Sequence, residues 1–232
     1  GDLPTEDFHP GRPPLISSCP CWAYTKPARG TYALRAPAPA GGVSNLKQRF
    51  MNIVLVTDIF GRTPALVKLS EELNAKVIVD PYGGVDMAFK NEAEAYSYFM
   101  ENIGIEDYLS ILLKATESIS SVCTLVGFSI GASIIWKLSE KLSVKNVNRA
   151  ICYYGSQIRN FKEVSPLFEI ELIFPKKELH FDVLELQNEL SKKKNVNTTK
   201  VDYLHGFMNL YSTNYNQFAY NEQLNWLRIN AC

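Results

Sequence analysis

An excess of charge of either sign is missing from this 232-residue chain: 24 lysines and arginines face 24 aspartates and glutamates. That balance leaves no global field to draw in nucleic acid or an anionic membrane, so neither is expected as a partner. Long hydrophobic runs are missing too. None approaches the roughly 20 residues that cross a bilayer, and no charged N-terminal segment leads into an apolar one as a secretion signal would. Cysteine is sparse and odd in number, at five. Cys19 and Cys21 sit too close together, and too far from histidine, to read as a metal site. Cys123 and Cys152 fall inside apolar runs and should pack as small hydrophobes. A reducing cytoplasm is the simplest setting for such a chain, as a monomer or weak homodimer. The lysines at 192–194 lie between a helical and a strand pattern and read as a solvated loop.

Proline is unevenly spread. Eight of the twelve lie in residues 1–50, a stretch with little helical or strand periodicity and with the simple run RAPAPAGG. Such a segment buries little apolar surface and is expected to be a loosely attached leader. The clean run MNIVLVTD from Met51 suggests that the folded part, and the natural protein itself, starts there, with 1–50 appended or translated from upstream. The competing expectation makes TYALRAPAPAGG an edge strand and loop of the same domain. On either view 51–232 is one domain.

From Met51 two patterns alternate. NIVLVTD (52–58), KVIVDPY (76–82), VCTLVG (122–127), RAICYYG (149–155), EIELIF (169–174) and TKVDYL (199–204) are short and rich in branched or aromatic residues. Several are apolar throughout, as strands buried on both faces are. Between them, 63–75, 108–119, 133–142, 183–193 and 220–229 carry helical spacing, with Pro64 in a first turn where its missing N–H costs nothing. The alternation predicts an α/β domain: a mostly parallel, doubly wound sheet flanked by helices on both faces.

In such sheets chemistry gathers beyond the carboxyl ends of the strands. One such end reads GFSIG, placing Ser129 between Gly127 and Gly131. A serine in a sharp strand-to-helix turn lifts its hydroxyl above the sheet, and the crowding of that turn demands tiny neighbours two positions away. The following helix aims its free N–H groups at the same point, so the Ile130 N–H can donate to an oxyanion. Glycine and serine also make ordinary turns. A serine nucleophile needs a base. His9 lies in the leader and His180 in a loop, whereas His205, in YLHGF, follows the last strand pattern and comes after the serine in chain order. Activity should then rise with pH as the imidazole loses its proton. An acid to orient it should lie just past a strand. Glu178 comes first after EIELIF; Asp182 is also in reach but reads equally as a helix N-cap; Asp202 lies inside a strand pattern. A second oxyanion donor belongs in TDIFGRTP, at the N–H of Ile59 or Phe60. Asp58 there reads either as a residue tuning the nucleophile or as a helix-start acid. Tyr82, Tyr154, Phe207 and Met208 are candidates for the pocket wall or for the core.

Taken in order, TDIFG, VDPYGG, GFSIG, YYG and HGF over about residues 51–230 resemble the dienelactone hydrolase family, a branch of the α/β-hydrolase fold. The resemblance implies Ser129 as nucleophile, Glu178 as acid, His205 as base, oxyanion donors at the N–H groups of Ile59 and Ile130, and no metal or organic cofactor. Asp58 stands where the family commonly has a glutamate beside the nucleophile. The founding members use cysteine at the elbow, aspartate as acid, and arginines, one of them shortly after the histidine, for a substrate carboxylate; here GFMNLY follows His205 with no arginine. The short segment between Pro81 and Tyr108 suggests a small lid or none. The implied activity is hydrolysis of a small ester, lactone or thioester. A non-catalytic binding protein on the same scaffold, or an acyltransferase, are the alternatives.

Overall fold

The computed structural model describes residues 52–231. The expectations for residues 1–50, with Cys19, Cys21 and His9, lie outside them. Six strands form one wholly parallel sheet: β1 (Asn52–Val56), β2 (Val77–Val79), β3 (Cys123–Phe128), β4 (Val147–Tyr153), β5 (Glu169–Phe174) and β6 (Val196–Lys200), in the spatial order β2-β1-β3-β4-β5-β6. Among the described residues six α-helices accompany them: α1 (Pro64–Glu72), α2 (Glu92–Asn102), α3 (Gly104–Glu117), α4 (Ile130–Leu138) and α5 (Val183–Leu190) between strands, and α6 (Gln217–Asn230) after β6; a 3₁₀ turn, Ser156–Asn160, joins β4 to β5.

The continuous apolar strands bury both faces, as their composition requires. Val54, Val56, Leu125, Ala150, Cys152 and Leu172 point into one core, filled by Tyr108, Leu112, Ile134, Trp136 and Leu186 from α3, α4 and α5. Their neighbours Ile53, Leu55, Val126, Ile151, Tyr153 and Ile173 point into a second, filled by Leu69 of α1 and by Leu224 and Leu227 of α6. Helices thus cover both faces. Cys123 and Cys152 are buried free thiols within these layers, and burial raises both thiol pKa values, that of Cys123 to about 11.

Caps and turns set the helix ends. Thr63 accepts from Leu66 N ahead of α1, Asn91 from Glu94 N ahead of α2, and Asn216 from Ala219 N ahead of α6. The sequence pattern missed α2, which places Glu92 and Glu94 in its first turn but buries only Ala95 and Phe99. The segment expected to be short and nearly lidless therefore carries a helix. The last strand is also displaced. TKVDYL promised 199–204, but the ladder runs from Ile170↔Val196 to Phe174↔Lys200. It stops where β5 meets Pro175, which has no N–H to give. Beyond it the chain stays tied irregularly, Val201 N to Phe174 O (2.9 Å) and Lys176 N to Tyr203 O (2.6 Å). Asp202 is in this loop, exposed, not in a strand.

The sheet order fixes where a site can form. The chain leaves β1 toward β2 at one edge, then returns past β1 to β3 and proceeds the other way. Loops after β1 and β3 therefore diverge, opening a crevice between residues 58–61 and residue 129. Among the described residues no helix is long and apolar enough to cross a membrane.

Candidate active site

Ser129 occupies the junction of β3 and α4 with φ 50° and ψ −112°, a left-handed conformation that costs a non-glycine residue about 1–3 kcal/mol. The surroundings hold it there. Its N–H donates to Tyr153 O at 2.9 Å, tying the turn to β4, and its carbonyl accepts from Ser133 N at 3.2 Å. The glycines are required by space. A Cβ on Gly127 would lie 2.9 Å from Ala132 N, and one on Gly131 would lie 2.6 Å from Val56 O.

From that turn Ser129 Oγ lies 3.0 Å from His205 Nε2. His205 Nδ1 lies 2.7 Å from Glu178 Oε1. A carboxylate only accepts, so Nδ1 carries a proton and, in the neutral ring, Nε2 is left to accept from the serine hydroxyl. His205 is held from behind. Asn214 Nδ2 donates to its carbonyl at 2.9 Å, the Tyr154 ring packs 5.0 Å from its ring, and fully buried Phe207 anchors the loop. Gly206 takes φ 80°, and a Cβ there would lie 2.5 Å from Ser212 Oγ. Asp182, the alternative acid, is engaged elsewhere: its Oδ1 accepts from Leu184 N (2.7 Å) and Glu185 N (3.2 Å) as the N-cap of α5.

The loop after β1 faces the serine. Phe60 N donates to Asp58 Oδ1 at 2.9 Å and is thereby occupied. Ile59 N–H and Ile130 N–H have no partner among the described residues, and both residues line the cleft with Ser129. Tyr82 fixes this loop by donating its hydroxyl to Ile59 O at 2.7 Å. Asp58 is set deeper. It lines a small cavity of about 190 Å³ shared with Tyr154 and Asn209, and Asn209 Nδ2 donates to its Oδ2 at 2.6 Å. Burial pushes its carboxyl up to about 6, against the lowering effect of those two hydrogen bonds and of His205. It is therefore an acceptor in a network and not merely a helix-start acid.

The cleft over Ser129 measures about 880 Å³, within the range of small-molecule sites. Its walls include Ile59, Tyr96 of α2, Arg159, Glu178, Leu179 and His205. Of the wall candidates read from sequence, none lines it. Tyr154 and Met208 border the smaller cavity, Tyr82 braces the β1 loop, and Phe207 is core. Sequence reasoning passed over Asn209, whose place four residues after His205 in HGFMN was the available signal, and Arg159 and Tyr96, which lay in unassigned segments. No group of three or more histidine, cysteine, aspartate or glutamate side chains that could hold a metal occurs among the described residues.

No family model matches the chain. A Bacillus subtilis (strain 168) protein, the uncharacterized YczH, is 28% identical over 187 residues, which are 77% of this chain and 91% of that one. A provisionally assigned dienelactone hydrolase from Klebsiella pneumoniae subsp. pneumoniae MGH 78578 superposes with TM-score 0.58 at 14% identity, over 76% of this chain and 83% of the other. A dienelactone hydrolase-like promiscuous phosphotriesterase from metagenomic libraries gives TM-score 0.56 at 11% identity, over 77% and 84%. At such identities the likeness is one of fold. This chain has the α/β-hydrolase fold in the form found in dienelactone hydrolase-like structures, as the ordered motifs implied.

Proposed function

We propose that the protein is a serine hydrolase of small carboxylic esters, lactones or thioesters, working through an acyl-enzyme. The observation that carries this is the unbroken relay Glu178–His205–Ser129, at 2.7 and 3.0 Å, opening into the 880 Å³ cleft. His205 Nε2 takes the hydroxyl proton as Ser129 Oγ attacks the substrate carbonyl carbon. Glu178 steadies the imidazolium. The carbonyl oxygen gains its negative charge beside the N–H groups of Ile59 and Ile130, which have no partner among the described residues and so need no reorganisation. Collapse breaks the bond to the leaving group, which receives the proton from Nε2. Water then repeats the cycle, giving its proton to His205 and releasing the acid and Ser129.

The test is a fluorophosphonate probe followed by peptide mapping. A single adduct on Ser129 that disappears in His205→Ala is the expected result. Folded protein that takes no label between pH 6 and 9 overturns the proposal and favours a binding scaffold that has lost its chemistry.

A further inference from the structure

The smaller cavity, of about 190 Å³, lies apart from the proposed chemistry: none of its lining residues borders the cleft over Ser129. It is bounded by the loop after β1, by α1, and by the chain from Met208 into the first turn of α6. Asp58 brings a carboxylate to it, and what that carboxylate lacks is a cation. Its partners are neutral, Phe60 N–H on Oδ1 (2.9 Å) and Asn209 Nδ2 on Oδ2 (2.6 Å). No lysine, arginine or histidine comes within ion-pair distance of it among the described residues. A charge withdrawn from water without an opposite partner is costly, and burial lifts this carboxyl to about 6. A carboxylate accepts at roughly four positions, so the two donors present leave about two open. Nearby charges do not answer it. His205 is engaged by Glu178, Glu92 has the same sign and borders the cleft, and Lys68 borders the cavity but is exposed on α1. The remaining wall suits an organic cation. Phe128 and Tyr154, with ring centroids 6.3 Å apart, and Tyr215 and Tyr220, 6.1 Å apart, supply aromatic rings, which attract ammonium groups. One carboxylate among such rings falls far short of the oxygen shell that calcium or magnesium needs.

We propose that this cavity is a second ligand site, taking a compact primary ammonium on an aromatic or apolar body, with Asp58 receiving the ammonium and the aromatic wall receiving the body. The site goes beyond the hydrolase reading and does not depend on it. Since Phe60 N and Asn209 already hold Asp58 in place, little side-chain entropy is lost when the ammonium arrives.

The experiment is calorimetry on the full chain at pH 7.5 with benzylamine, protonated at that pH, and benzyl alcohol, its neutral isostere. The ammonium should bind more tightly than the alcohol by roughly tenfold or more, as expected for hydrogen bonds to a charged group. Asp58→Asn keeps the shape, removes the charge and should erase that preference. Ala65→Phe puts a ring into the cavity from the partly exposed start of α1 and should weaken both ligands. Glu92→Gln tests the cleft over Ser129 as a rival seat for the cation and should change nothing. Equal affinity for the two ligands, or no benzylamine binding at millimolar concentration, overturns the proposal. So does a preference that survives Asp58→Asn or disappears in Glu92→Gln. A circular dichroism melt establishes that each variant is folded; if Asp58→Asn is not, benzylamine affinity left unchanged by Ala65→Phe overturns the proposal, and its loss there upholds it. Fluorophosphonate labelling of Ser129 is read separately, so protein that takes no label still answers whether Asp58 holds an ammonium.

Discussion

Ser129 and Asp58 show how far single side chains are governed by their surroundings. On the proposed mechanism the serine would react only as long as Nε2 of His205 can accept, a tautomer favoured by Glu178 Oε1 at 2.7 Å from Nδ1. Glu178→Gln replaces an obligate acceptor with an amide that can donate, so the proton can shift to Nε2. The expected fall in kcat is roughly 10³- to 10⁴-fold with the fold intact, measured on a chromogenic ester beside a circular dichroism melt. Glu178→Asp keeps the charge but shortens the reach by one methylene, and should lose less. Asp58 gives a pH prediction. Its carboxyl is raised from 3.8 to about 6 by burial, so between those values the folded state binds more protons than the unfolded one. The contribution of Asp58 to stability therefore falls as pH rises from about 4 to 6, then levels, by on the order of 2–3 kcal/mol in all. Denaturant titrations at pH 4, 5, 6 and 7 should show this slope in wild type and not in Asp58→Asn; parallel curves would count against it. That Ser129, His205 and Glu178 come together was legible from residue type, because only glycine fits beside a strained turn and histidine is rare. Asn209 was not, since its partner Asp58 is 151 positions away in sequence and no periodicity links them.

Elements became legible where packing speaks through period, and illegible where it does not. β1, β3, β4 and β5 announce themselves by two-sided burial. β6 hides because it is an edge strand with only Val196 buried, while the apolar Val201 and Tyr203 that seemed to mark it pack from an irregular loop. α2 hides because Ala95 and Phe99 are its only buried residues. Two predictions belong at this scale. Gly131→Ala forces a methyl against the Val56 carbonyl at the end of β1, so it should cost on the order of 1–3 kcal/mol and reduce fluorophosphonate labelling of whatever remains folded. Asp182→Ala removes a cap with two backbone donors on it. It should lower stability by about 1 kcal/mol and leave esterase turnover in place. Loss of turnover without loss of stability would return Asp182 to contention as the acid.

At the scale of the domain, the described residues join two cores through one sheet, with Trp136 buried on one side and Trp226 packed at the other. Because every central strand contributes to both layers, neither can melt alone. Urea midpoints of Trp136→Phe and Trp226→Phe, each followed by fluorescence and by far-ultraviolet circular dichroism, should coincide between the two probes within each variant. Separate midpoints would show that the layers unfold independently.

The relay also spans the chain in time. Ser129 is made first, Glu178 next, and His205, 76 positions after the serine and 27 after the acid, last. On the ribosome the elbow can take shape while the proposed base is still unsynthesised, so a nascent chain that ends before His205 carries Ser129 without the imidazole that faces it in the folded protein. On the proposed mechanism the chain would emerge inert, its serine gaining a base only when the final third has come out and folded back onto the sheet.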